Sequence, residues 1–152
     1  MERLFDPVRR KFVAATAEEM VRQSLLRRMM GELGFPKGLI AVEREIASLP
    51  HVPAGVDPER RIDLLCFACH IHPEHEVYPL LLVECKAEGI DADAEAQAIG
   101  YNHWVRAPYI CLAGREELKT LWFDPVQCTY VSIPFLPPFR ELLGNVSKVL
   151  AL

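Results

Sequence analysis

The stretch Tyr78-Pro79-Leu80-Leu81-Leu82-Val83-Glu84-Cys85 constrains this chain more than any other. It is apolar at nearly every position and does not alternate, the pattern of a strand buried on both faces. Such a strand lies at the centre of a sheet, covered above and below. It closes on Glu84 and Lys86, and a spacing of two places both side chains on one face. Charge at the end of a core strand is the anomaly that any functional reading must explain.

The surrounding segments predict an α/β domain around a mixed central sheet flanked by helices. Thr16 caps a helix, with Glu19 as its capping-box partner and Val21, Leu25, Met29 and Leu33 as its apolar stripe. Phe35-Pro36-Lys37-Gly38 ends that helix. Leu39 to Ile46 partly alternates, as does a strand with one wet face, and the proline-rich residues 50–59 form a loop. Ile62 to Phe67 is the next strand, joined to the central one by an exposed connection over Cys69 to Glu76. Asp91 or Asp93 caps a second helix running to Trp104. Tyr109 to Ala113, Leu118 to Phe123 and Cys128 to Ile133 follow as strands, and Arg140 to Leu152 as a terminal helix. All 152 residues fit one domain.

Composition narrows the functional classes. Hydrophobic residues are 51% and charged residues 25%, which is globular rather than disordered. The net charge of −4 is uneven: residues 1–61 carry 11 basic and 9 acidic groups, residues 62–152 carry 6 and 12. That balance argues against loose electrostatic coating of nucleic acid, but suits an enzyme gripping phosphates through a few basic groups and metal ions. No apolar run approaches a membrane span, and acids and a proline occupy the start, so a cytoplasmic protein is expected. Five cysteines without a secretion signal read as reduced thiols.

Asp63 lies near the start of one strand, and Glu84 and Lys86 close its neighbour. A carboxylate buried there needs a partner, a proton or a metal. Two carboxylates from adjacent strands can hold one Mg²⁺, with the Cys85 carbonyl and waters completing an octahedron. Lys86 beside them can position a water and stabilise charge on a phosphate. Gln97 and Tyr101, four apart on the next helix, face the same way. Each element alone has an ordinary explanation. Glu84 and Lys86 would be a solvated ion pair, Asp63 a turn residue paired with Arg60 or Arg61, and Gln97 and Tyr101 a plain amphipathic face. The ordered set is what separates the readings.

That set resembles a family. Arg61-Ile62-Asp63-Leu64-Leu65, Leu80 to Lys86, and Gln97-Ala98-Ile99-Gly100-Tyr101-Asn102 are similar to the PD-(D/E)xK nucleases. The closer resemblance is to the N-terminal domain of type I restriction enzyme R subunits. Glu18-Glu19-Met20-Val21-Arg22-Gln23, Gly34-Phe35-Pro36-Lys37 and Glu43-Arg44-Glu45 extend it, over about residues 16–123. The resemblance implies a restriction-endonuclease-like α-β-β-β-α-β core and Mg²⁺-dependent hydrolysis of DNA phosphodiesters, with Mn²⁺ as a substitute. It implies Asp63 and Glu84 as metal ligands, Lys86 as the catalytic lysine, and Gln97 and Tyr101 as its supporting pair. Glu19, or else Glu18, would be the acid offered by the first helix; both flank the apolar stripe, so spacing does not choose. The chain has no Gly-x-x-x-x-Gly-Lys-Ser/Thr loop. A freestanding nuclease, one recruited by a separate motor or specificity subunit, or a homo-oligomer is therefore expected.

Two other readings compete. A noncatalytic DNA- or protein-binding module could keep the fold. Cys66-Phe67-Ala68-Cys69-His70, followed by His72 and His75, has zinc-ligand spacing and matches a haem-attachment pattern. Strand alternation turns the Cys66 thiol to the core, which disfavours zinc, and haem attachment requires export. The histidines then read as a polar hairpin tip, Trp104 as core packing, and Cys85, facing away from Glu84, as a poor nucleophile.

Overall fold

A computed structural model describes the backbone of residues 1–150 and the side-chain surroundings of residues 1–146. The double-sided apolar strand is central, as its composition demands. It is β5 (Val77–Cys85) of a six-stranded sheet ordered β3 (Ile40–Glu45), β4 (Arg61–Cys69), β5, β6 (Tyr109–Ala113), β7 (Leu118–Asp124), β8 (Thr129–Ile133). Only β5 and β6 pair in parallel, because helix α2 (Ala92–Val105) crosses between them; the other pairs are antiparallel.

Helices α1 (Ala17–Gly31) and α3 (Phe139–Leu150) cover one face, where Leu26, Met29 and Phe139 pack on Leu64, Leu81 and Val83. Helix α2 covers the other, where Ala98 and Val105 meet Leu65, Leu82 and Ile110. Ala151 and Leu152, the end of the expected terminal helix, lie outside the described residues. No helix among the described residues is long and apolar enough to cross a membrane.

The caps follow the sequence in part. Thr16 Oγ1 accepts the Glu19 N–H at 3.1 Å, but the reciprocal half of a capping box is not made. The Thr16 N–H goes to the Ala14 carbonyl instead. Of the two candidate caps for α2, Asp91 serves, accepting the Ala94 N–H at 2.8 Å. Helix α1 stops as expected, with Leu33 N–H reaching back to the Arg28 carbonyl and Gly34 left-handed at φ +70°.

One element is unforeseen: an N-terminal hairpin of β1 (Arg3–Asp6) and β2 (Lys11–Ala14). Asp6 pins it. This carboxylate has no exposed surface, so every lone pair needs a donor. Oδ1 accepts the Val8 and Arg9 N–H groups, and Oδ2 accepts Arg9 Nε at 2.6 Å and Gln23 Nε2 at 2.9 Å. Gln23 belongs to α1, so the hairpin is locked to the helix that faces the charged strand end.

Candidate active site

Pairing between β4 and β5, after a register shift between Cys66 and Phe67, runs up to Leu64 opposite Val83. One residue further on, Asp63 Oδ2 accepts the Cys85 N–H at 2.8 Å. A side-chain oxygen thus replaces a backbone carbonyl in the ladder. Meanwhile the Lys86 N–H bonds the Ala113 carbonyl at 2.8 Å, keeping β5 against β6. The sheet opens between β4 and β5 only, and Glu84 sits in the opening.

Glu84 is buried beside Asp63, and its Oε1 has no hydrogen-bond partner. Burial first, then the neighbouring Asp63 carboxylate, pushes the Glu84 carboxyl up to about 10, with Lys86 pulling the other way. Without a cation beside it, this setting favours the neutral form of the Glu84 carboxyl. Lys86 Nζ donates to Gln97 Oε1 at 2.6 Å, so α2 aims the ammonium as the sequence predicts. Tyr101 does not join it: its ring carries the Arg60 guanidinium, 5.4 Å from the centroid. Cys85 turns its thiol into the α1-side core, where burial raises it well above the ordinary range.

The acid from α1 that lies beside Asp63 is Glu18. Burial and then Asp63 raise the Glu18 carboxyl, and Lys86 lowers it. Glu19 points elsewhere. Its carboxylate bonds Arg9 from the hairpin, Arg22 at 2.9 Å and Gln23 at 3.2 Å. Arg22, buried on α1, is a residue that the sequence reading missed. Its guanidinium also lies 3.4 Å from Asp63 Oδ1 and 3.6 Å from Glu18. A kink in β3, where Glu43 takes φ +52°, brings a further carboxylate to within 3.5 Å of Arg22. The signal available in sequence was that Arg22 stands four residues after Glu18 and three after Glu19, on one helix face with both.

Of the site residues, Glu18, Cys85, Lys86 and Gln97 line an open cleft of about 820 Å³, together with Glu88, Asp91 and Asp93. A divalent cation fits the donor set. Glu84 Oε1 is a buried acceptor with nothing to accept from, and two adjacent carboxylates of like sign are relieved by a positive ion. Among the described residues no three His, Cys, Asp or Glu side chains are gathered around one point. Mg²⁺ needs no such cage, since it keeps several waters and takes one or two carboxylates.

A family model for the type I restriction enzyme R protein N terminus (HSDR_N) matches residues 17–137. The chain belongs to the HSDR_N family. A fragment of a protein described as an HsdR subunit of a type I restriction enzyme from Vibrio vulnificus YJ016 has the same fold, with a TM-score of 0.58 at 14% identity. The match covers 92% of this chain but 27% of that one, so this chain spans about a quarter of its length. Comparison with curated proteins gives no significant match. The HSDR_N match begins at Ala17, which leaves the β1–β2 hairpin outside it.

The zinc pattern is not assembled in this HSDR_N chain. Cys66 is buried and Cys69 is exposed, as three residues along a strand require. His70, His72 and His75 lie in the β4–β5 hairpin connection, as expected, and two of them are packed there. His72 stacks on Tyr78 at 4.4 Å between centroids, and His51, from the loop after β3, packs on the same ring at 4.8 Å. His75 lies 5.8 Å from His51, whose Nε2 contacts the Val105 carbonyl at 2.6 Å. Trp104 corrects another expectation: it is 41% exposed, edge-on to His103 rather than in the core.

Burial, followed by His75, His72 and Arg106, holds the His51 imidazole below its usual 6.5. The unfolded chain then binds more protons than the folded one near that pH. This contribution to stability is complete above about 6.5 and is lost as pH falls toward the depressed folded value. His51→Gln is expected to flatten that part of a urea-midpoint-against-pH profile. An unchanged profile would remove His51 from the account.

Proposed function

We propose that this chain is the nuclease module of a restriction-type enzyme, a Mg²⁺-dependent deoxyribonuclease. The observation that carries the reading is one strand end where Asp63, the unpartnered buried Glu84 and a Gln97-aimed Lys86 meet. Membership in the HSDR_N family and the fold of the HsdR fragment support it.

Asp63, Glu84 and the Cys85 carbonyl would hold Mg²⁺, or Mn²⁺ in its place, with Glu18 rather than Glu19 as the acid from α1. When bound, such an ion polarises a phosphoryl oxygen and lowers the pKa of a coordinated water. The remaining work belongs to the chain. Asp63 is held at one oxygen by the Cys85 N–H and at the other by Arg22, so its carboxylate is fixed before any ligand arrives. Lys86 places positive charge where a phosphate gains negative charge, and Gln97 fixes the ammonium without neutralising it. Glu84 must give up its proton to bind a cation. DNA is the substrate, and a separate motor or specificity subunit is the partner that the family context suggests.

The test is cleavage of plasmid and linear DNA in Mg²⁺, Mn²⁺ and Ca²⁺. Cutting is expected in the first two. Ca²⁺ should bind without turnover, because its loose coordination sets an attacking water poorly. Absence of Mg²⁺ binding and of any cutting would favour the noncatalytic module.

A further inference from the structure

A second groove, of about 490 Å³, borders the cleft. One wall is an α1 stripe, Ala17, Met20, Ser24 and Arg27, whose spacings of three and four keep it on a single helix face. Val21, Leu4 of the hairpin and Arg115 of the β6–β7 turn complete the lining. Ala17 also lines the cleft, so the two depressions adjoin at that residue, while Val21, Ser24 and Arg115 border a further depression that holds Glu116 and Glu117.

The two differ in charge. Glu18, Glu88, Asp91 and Asp93 line the cleft, whereas no carboxylate lines the groove. Arg27 and Arg115 are exposed, and neither has a carboxylate partner among the described residues. Met20 is 56% exposed beside them. In a chain of net charge −4, a groove whose own lining holds two unpaired guanidinium groups and no carboxylate matches a polyanion with apolar spacers.

We infer that this groove carries the backbone of the nucleic acid strand that passes through the cleft. Arg27 and Arg115 bind its phosphates, and Leu4 and Met20 pack against its sugars. The inference rests on the nuclease reading for the identity of the strand. An acidic cleft repels phosphate until a cation is bound, so anchorage must come from outside it. Guanidinium groups grip phosphate oxygens two at a time, giving register as well as affinity. The stripe from Ala17 to Arg27 is about 15 Å long at 1.5 Å per residue. That accommodates several phosphates at about 3.4 Å per nucleotide of duplex axis.

The experiment is fluorescence anisotropy of labelled duplex and single-stranded DNA with the full chain in Ca²⁺, over a range of salt. The Arg27→Ala/Arg115→Ala variant is compared with Lys37→Ala/Arg140→Ala, which removes equal charge at the far end of α1. The first is expected to weaken binding and to make the log K against log salt slope shallower by about 2. The second is expected to leave both close to wild type. All four residues are exposed, so both variants should melt as wild type does, and Mg²⁺ binding by calorimetry should be unchanged in the first. The inference is overturned if the two variants behave alike, if the groove variant keeps wild-type affinity and slope, or if wild type binds no DNA. Failure of the nuclease reading looks different: the groove variant loses DNA binding while wild type binds normally and cuts nothing.

Discussion

Lys86→Ala is expected to lower Mg²⁺-dependent DNA cleavage by about 10²–10⁴-fold while leaving calorimetric Mg²⁺ binding in place. Lysine is not a ligand, and its ammonium donates to Gln97. Thermal stability should hardly move, because the side chain is only half-buried. Glu84→Gln is the contrasting variant. It removes a ligand and the group that must lose a proton, so both binding and cutting should fail while the metal-free protein gains stability. The gain should grow as pH rises from the ordinary carboxyl value of 4.5 toward about 10, since over that window the folded wild type retains a proton that the unfolded chain releases. Cutting by Lys86→Ala at the wild-type rate would show that the assigned site is wrong.

Arg22→Met is expected to cost about 3–5 kcal/mol in urea unfolding. Arg22 is 3% exposed and lies among Glu18, Glu19, Glu43 and Asp63. Removing it leaves Glu19 dependent on Arg9 and Gln23, and Asp63 Oδ1 without a donor. Methionine fills the space, so the loss is electrostatic rather than a cavity. Arg22→Lys should recover only part, because a single ammonium cannot reach carboxylates on several sides. A loss no greater than that of exposed Arg27→Ala would show that the network contributes little.

Much of the fold was legible because the strongest pattern was apolar. Tyr109–Ala113 has the predicted limits, β5 gains only Val77 toward the hairpin, and β4 gains Arg61 at its start and Ala68 and Cys69 toward the hairpin. The hairpin at the start was not legible. Its strands have four residues each, half of them exposed, and Asp6-Pro7 with Arg9, Arg10 and Lys11 reads as polar surface. Nothing local marks Asp6 as fully buried, because its donors come from its own turn and from α1, 17 positions away.

The same omission explains the site. Asp63, Glu84, Lys86 and Gln97 could be read together because strand period and helix spacing place them. The choice between Glu18 and Glu19 depends on Arg9, which arrives from the unrecognised hairpin and takes Glu19. Tyr101 fails for a related reason. Helix spacing gives a direction, but Arg60, from a loop without periodicity, supplies the partner.

The hairpin also sets where this protein can be cut. Residues 17–137 contain the six-stranded sheet and every side chain of the proposed site, and look like a complete minimal unit. Excision there would remove Arg9, the hairpin's cation on Glu19, and with it the claim that keeps Glu19 away from Arg22's other partners. Arg22 would then be drawn more strongly to Glu19, at the expense of its 3.4 Å contact with Asp63. A trimmed version could fold, crystallise and still hold its key aspartate less firmly. The hairpin from Arg3 to Ala14 is therefore expected to belong with the site it braces, and a chain trimmed to Ala17 should show it as weaker Mg²⁺ binding by calorimetry.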